Sequence, residues 1–105
     1  MSGSGGSYLA PYSPSDSCAA LRFETQLASP KAHVVAQLQV GDTLEIVFGP
    51  SGNQVVVALW NGAEAGGIVD PRLPQLRNCM NQNEQFRADV LSITSGQVRV
   101  RVYHV

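Results

Sequence analysis

Residues 40–70, VGDTLEIVFGPSGNQVVVALWNGAEAGGIVD, decide the fold of this chain. The first part predicts a strand that begins at Thr43, because Leu44, Ile46 and Phe48 alternate with Thr, Glu and Val in the two-residue period of a half-buried strand. A Gly-Asp turn precedes this strand, and the Gly, Pro, Ser and Asn residues that follow Phe48 end it.

The second part of the same stretch predicts a β-hairpin. Residues 55–60, VVVALW, are apolar at consecutive positions, which indicates a strand covered on both faces. Asn61-Gly62 then predicts a type I′ turn, because both residues tolerate positive φ. The return strand, GGIV at 66–69, carries a glycine pair of the kind that marks a bulge, a barrel corner or the close approach of another backbone or a ligand.

Shorter elements flank this region. Residues 18–27 predict a strand with Leu21, Phe23 and Thr25 on one face. Ser29-Pro30 has the composition of a helix start, so we expect a helical turn near 30–38. Asp70-Pro71 repeats that signal before a helix whose apolar positions are Leu73, Leu76, Cys79 and Met80.

The last part of the chain predicts a second hairpin. Residues 84–94 predict a strand with a bulge near Val90 and Leu91, because the apolar residues lie at even positions up to Val90 and at odd positions from Leu91. Ser95-Gly96 turns the chain, and residues 97–105 alternate cleanly, so we expect a final strand. Because the sequence ends within this strand, at Tyr103-His104-Val105, we expect it to be an edge strand that is open to β-augmentation.

Together these elements predict a mostly β fold. We expect a small antiparallel β-barrel of about six strands, with one short helix between the third core strand and the C-terminal hairpin. Residues 1–17 are rich in Gly, Ser and Pro and predict a flexible tail, and residues 18–105 predict a single domain.

The layout of these strands resembles the HIRAN family and related small SH3- or OB-like barrels. The resemblance is carried by Val40-Gly41-Asp42, the strand 55–59, Gly66-Gly67-Ile68-Val69 and the hairpin 86–102. It implies a small-barrel architecture and, as an alternative function, binding to DNA ends.

Composition excludes several classes of function. The net charge of −1 gives no general attraction to nucleic acid or to acidic membranes. No apolar run approaches the ~20 residues of a membrane span. The first residues show no charged region followed by an apolar region, so we expect no secretory signal. We therefore expect a cytoplasmic protein without a membrane partner.

The side chains that could bind a metal or act as nucleophiles are few. Cys18, His33, Cys79 and His104 are zinc-ligand types, but they lie in four separate elements without a metal-binding spacing. Buried, inert cysteines and surface histidines are the expected outcome, with a Cys18–Cys79 disulfide as the alternative. No nucleophile motif, phosphate loop or carboxylate pair is present, so we expect neither a cofactor nor an enzyme.

One polar feature suggests binding instead. Arg99, Arg101 and Tyr103 share one face of the last strand, and Arg87 lies on its expected neighbour. This arrangement could follow a single-stranded nucleic acid, or a cross-strand ion pair between Asp89 and Arg101 could neutralise half of it.

A lone tryptophan completes the expected contact surface. Trp60 ends the central strand beside the hairpin turn, and it is a contact residue if exposed or a barrel cap if buried. We expect a non-enzymatic module that recognises a protein segment or assembles with itself. Its expected contact residues are Trp60, Gly66, Gly67, Arg87, Arg99, Arg101 and Tyr103. Single-stranded nucleic-acid binding is the second hypothesis, and a small metal- or cysteine-dependent enzyme is a distant third.

Overall fold

The computed structural model describes residues 14–50, 52 and 54–105. Three helices and six strands lie within these residues. In chain order they are α1 (Pro14–Ala20), β1 (Arg22–Gln26), α2 (Ala32–Val35), β2 (Thr43–Phe48), β3 (Val56–Trp60), β4 (Ala63–Gly67), α3 (Leu73–Asn81), β5 (Phe86–Thr94) and β6 (Gln97–His104). The mostly β composition and the number of strands are as predicted from the sequence.

All six strands belong to one antiparallel sheet with the order β1-β6-β5-β2-β3-β4. The last strand, β6, therefore lies between β1 and β5, and its prediction as an edge strand is wrong. The two edges are β1 and β4. The first strand of the domain pairs with the last, because the register runs from Arg22 opposite Tyr103 to Gln26 opposite Arg99.

The predicted closed barrel is not confirmed, because no ladder joins the two edges among the described residues. A single antiparallel bridge connects Ala28, just beyond β1, with Gly67 at the end of β4. Its two hydrogen bonds measure 2.9 and 2.8 Å, and Lys31 N–H donates to the Ala65 carbonyl at 2.8 Å. The segment 28–31 thus covers the β4 edge.

One continuous core lies between the inner face of the sheet and the helices. The alternating residues of each strand supply it, as the two-residue period predicts. Leu44, Val90, Val98, Val100 and Val102 are at most 1% exposed. Val56, Val57 and Ala58 of β3 are also buried, so this strand is covered on both faces as expected.

The turns and the bulge agree with the sequence. Asn61 and Gly62 both have positive φ, at 49° and 84°, which the predicted type I′ turn requires. The register of β5 against β6 shifts between Val90 and Ser92, where the parity change predicted a bulge. The residue left between them is Leu91.

The beginning of the described chain differs from the prediction. Cys18 was expected to start a strand, and residues up to 17 were assigned to a flexible tail. Instead, residues 14–20 form α1, and β1 starts at Arg22. The rest of the predicted tail, residues 1–13, lies outside the described residues. Helix α1 packs against α3 and β6, so it is part of the folded domain.

A disulfide between Cys18 and Cys79 joins α1 to α3, with the two Cα atoms 5.5 Å apart. Both cysteines are almost fully buried, at 1% and 2% exposure. The alternative in which they pair is therefore the one that the structure shows, and the expectation of free thiols is wrong. Composition alone could not reveal this pairing, because it depends on how α1 packs.

The two predicted helices are present, but they differ from the prediction in their bounds and caps. Helix α2 is short and starts after Lys31, while Ser29 has a φ of 46° instead of capping it. Helix α3 buries Leu76 and Cys79 and carries Pro74 in its first turn, as predicted. The Asp70 carboxylate accepts a hydrogen bond from the Arg72 backbone N–H at 2.9 Å and supports the turn before α3.

Candidate binding surface on the outer face and the β1 edge

We call the outer face the solvent-facing side of β1, β6 and β5. Its side chains are those of Arg22, Glu24, Gln26, Arg87, Asp89, Ser92, Thr94, Gln97, Arg99, Arg101 and Tyr103. Four of the seven basic residues of the protein lie here. The four predicted contact residues on β5 and β6 are therefore brought together, since these strands are neighbours.

The first row of this face runs across three strands. Tyr103 lies directly opposite Arg22 on one side and directly opposite Arg87 on the other. Neither arginine forms an ion pair with any described residue. Arg22 was missed in the sequence, because its pairing with β6 is a long-range contact that local patterns do not encode.

The second row is charge-balanced. Arg101 Nη2 lies 3.1 Å from Glu24 Oε2, and Arg99 Nε lies 3.8 Å from Glu24 Oε1. Asp89 is directly opposite Arg101, as the bulge predicted, but the expected ion pair between them is absent from the described contacts. Arg101 pairs with Glu24 on the other neighbouring strand, and Arg99 approaches the same carboxylate, so one acid on β1 offsets one of the two positive charges on β6.

Asp89 instead serves as a hydrogen-bond acceptor within the sheet. Its Oδ1 accepts from the Tyr103 hydroxyl and from the Thr43 hydroxyl, each at 3.0 Å. Burial raises the pKa of Tyr103 above its ordinary value, and the hydrogen bond to Asp89 raises it further. The Tyr103 ring is thus fixed in position between Arg22 and Arg87.

The β1 edge has unpaired backbone groups. Leu27 N–H donates to the Val98 carbonyl at 2.8 Å. Because hydrogen-bonded pairs alternate along an antiparallel ladder, Phe23 and Thr25 also face β6, whereas the N–H and C=O groups of Arg22, Glu24 and Gln26 point away from it. No described residue bonds to these groups. In contrast to the β4 edge, the β1 edge is open among the residues that the structure describes.

A groove of about 550 Å³ adjoins this edge. Arg22, Arg101 and Tyr103 line one side of it, and the last residues of α1 line another. Because the Cys18–Cys79 disulfide fixes α1, this wall of the groove depends on the bridge.

The three remaining predicted contact residues lie elsewhere. Trp60 is half-buried and packs against the core. Gly66 has a structural role, because a Cβ there would lie 3.0 Å from the Leu27 Cβ and 3.1 Å from the Ala28 oxygen. Gly67 forms the bridge to Ala28. The glycine pair therefore marks the close approach of another backbone, which was one of the alternatives for it.

The residues considered for zinc do not converge. The sulfurs of Cys18 and Cys79 are bonded to each other, which leaves no thiolate ligand. His104 Nε2 lies 2.6 Å from Glu84 Oε1, and its ring packs edge-on against Phe86. No group of three or more metal-ligand side chains occurs among the described residues. In the same part of the chain, no helix has the length and apolar character needed to cross a membrane.

Comparison with known proteins indicates the fold alone. No protein-family model matches the chain, and no curated protein matches it. Among solved structures, the chain is similar to a Lactobacillus plantarum protein determined by a structural genomics consortium, with a TM-score of 0.66 and 14% sequence identity. The alignment covers 77% of this chain and 89% of that one.

Proposed function

We propose that this protein is a non-enzymatic binding module that takes up an extended protein segment as an additional strand along β1. The open β1 edge carries the proposal. Unpaired N–H and C=O groups on an edge strand are a template for another strand, and main-chain hydrogen bonds supply the affinity in this mode of recognition.

The side chains beside the edge supply the selectivity. Arg22 and Glu24 are exposed and two residues apart, so an added strand meets a positive charge and then a negative charge on its outer face. Residues directly opposite each other in a ladder interact, and like charges there are destabilising. We therefore expect the bound segment to place an acidic side chain opposite Arg22 and a basic side chain opposite Glu24.

Selection of short random peptides displayed on phage tests this proposal. Glu24→Pro removes an edge-facing N–H, and proline is tolerated where that group faces solvent. Glu24→Gln is the matched control, because it loses the same charge but keeps the N–H. We expect selected peptides to bind the wild type and Glu24→Gln, and to lose binding to Glu24→Pro. Equal binding to all three proteins would place the site away from the β1 edge.

Single-stranded nucleic-acid binding, the activity that the HIRAN resemblance suggests, is the second candidate. The row Arg22–Tyr103–Arg87 supports it, because two arginines without an ion-pair partner among the described residues flank an aromatic ring. Glu24 and Asp89 on the same face reduce the attraction to phosphates. Fluorescence anisotropy of a labelled oligonucleotide at low and moderate salt tests this candidate. Salt-sensitive binding that Arg22→Gln and Arg87→Gln both weaken would support it, and no binding at low salt would exclude it.

The disulfide bears on where the module works. Disulfides persist in oxidising compartments and are rare in the cytosol. The cytoplasmic location expected from the sequence thus stays a prediction, and the buried Cys18–Cys79 bridge argues against it. We propose an oxidising compartment, which a free-thiol titration of the protein isolated from its native cells would test.

A further inference from the structure

We propose that one occupant of the β1 edge is a second copy of this chain, paired antiparallel through β1 about a twofold axis at Phe23. The inference rests on the proposed strand addition and names its partner. It follows from the order of charges along β1, Arg22-Phe23-Glu24, and from the direction in which the backbone groups of this strand point.

The hydrogen-bond phase limits the ways in which two β1 strands can pair. The edge-facing residues are Arg22, Glu24 and Gln26, so a ladder between two copies must place these residues opposite one another. Because these residues are two positions apart, the twofold axis must pass through a residue of β1 and not between two residues. With the axis at Phe23, Arg22 of each copy lies opposite Glu24 of the other, and both pairs are hydrogen-bonded.

The charges select this register. An axis at Arg22 places two arginines opposite each other, and an axis at Glu24 places two carboxylates opposite each other. Both arrangements are destabilising. An axis at Thr25 pairs Glu24 with the neutral Gln26. The axis at Phe23 alone forms two opposite-charge pairs, as the self-complementarity of a twofold interface requires.

The surroundings of Glu24 are compatible with this pairing. Arg101 and Arg99 approach its carboxylate from β6, at 3.1 Å and 3.8 Å, which leaves the side toward the edge for Arg22 of the second copy. An ionised carboxylate has four acceptor sites and accommodates this third donor. In the isolated chain Arg22 has no ion-pair partner among the described residues, and pairing supplies one.

Among the described residues, no backbone group bonds to the edge side of β1. The Arg72 guanidinium lies 4.9 Å from the centre of the Phe23 ring, which faces the core, and not on the edge-facing backbone groups. Helix α1 directly precedes this strand but packs back onto α3 and β6, and the Cys18–Cys79 bridge fixes it there. The ladder is short and charged, features that oppose non-specific edge pairing. A stable interface buries about 800 Å² per partner, and a ladder as short as this one buries less. We therefore expect a weak dimer, with a Kd from about micromolar to about millimolar.

Sedimentation velocity of charge-exchanged variants over a wide concentration range tests the inference. Arg22→Glu makes the edge wholly negative and Glu24→Arg makes it wholly positive, so each variant alone should self-associate about tenfold more weakly than the wild type. An equimolar mixture of the two should associate at least as tightly as the wild type, because both cross-strand pairs again have opposite charges. The double variant Arg22→Glu/Glu24→Arg should also dimerise.

The mixture distinguishes this pairing from damage to the fold, because two misfolded variants would not restore each other's association. Self-association of either single variant at the wild-type level would overturn the proposed register. A wild-type protein that stays monomeric at all concentrations while edge-directed peptides bind would overturn the dimer and leave the proposed function standing. If peptides also fail to bind, both proposals are wrong.

Discussion

Breaking the Cys18–Cys79 disulfide is a perturbation whose size follows directly from the topology. The two cysteines are separated by 61 positions in the sequence. A cross-link stabilises mainly by limiting the unfolded chain, and for a loop of this length the chain-entropy model gives about 4 kcal/mol at 25 °C. At about 4–8 °C per kcal/mol for a small domain, the melting temperature should fall by about 15–30 °C.

Thermal unfolding followed by circular dichroism, with and without a reductant, measures this effect. The Cys18→Ala/Cys79→Ala variant is the control, because it should melt near the temperature of the reduced wild type and should not respond to the reductant. Reduction should also weaken peptide binding at the β1 edge, since the bridge fixes the α1 wall of the adjoining groove. Two titratable thiols in the oxidised protein, or a melting temperature unchanged by reductant, would refute the reasoning.

Three further predictions concern single side chains. Gly66→Ala should destabilise the fold by about 1–3 kcal/mol through overpacking. Gly67→Ala should lower the free energy of unfolding by less, because the nearest non-local atom is 3.7 Å from the added Cβ. Urea unfolding of the two variants measures the difference. The hydrogen bond from the Arg72 side chain lowers the pKa of the Asp70 carboxyl. The ionised carboxylate therefore stabilises the fold fully above the unfolded pKa near 3.8, and this contribution is lost as the pH falls through the folded pKa. Asp70→Asn should flatten this part of the acid-unfolding curve. Because burial raises the pKa of Tyr103, the free energy of unfolding should decline as the pH rises from about 10 through the pKa of Tyr103 in the folded protein. Tyr103→Phe should remove the phenol that ionises last from the titration followed by ultraviolet absorbance.

The elements that depend on local chemistry were predictable from the sequence. The alternation around Leu44 and Ile46 gave both the strand and its buried face, since side chains on a strand alternate with a period of two. Asn61-Gly62 gave the hairpin turn, because few residue pairs accept positive φ twice. The parity change at Leu91 gave the bulge for the same geometric reason.

The neighbours of each strand were not predictable in this way. Alternation identifies the face of a strand but not the strand that lies beside it, so the interior position of β6 and its pairing with β1 were missed. The candidate site depends on that pairing. Arg101 was expected to meet Asp89 within the hairpin, yet it pairs with Glu24 on the strand that is 77 positions away in the sequence. The open edge and the role of Arg22 follow from the same long-range contact.

The disulfide was only the alternative in the sequence analysis, because its partners lie on two helices, one of which had no recognised signal. Helix α1 has no strong apolar period in its seven residues, and a helix this short is stabilised by tertiary contacts more than by propensity. Its packing on α3 brings Cys18 to Cys79, an arrangement that the spacing of two cysteines cannot reveal.

Amide hydrogen exchange along β1, measured by NMR on dilute oxidised protein, tests the central claim most directly. If the β1 edge is open, Glu24 and Gln26 exchange quickly while Thr25 and Leu27, which face β6, are protected. Raising the protein concentration or adding a selected peptide should then slow exchange at Glu24. Equal protection of Glu24 and Thr25 in the dilute protein would show that the edge is already covered, and would contradict the proposed binding site.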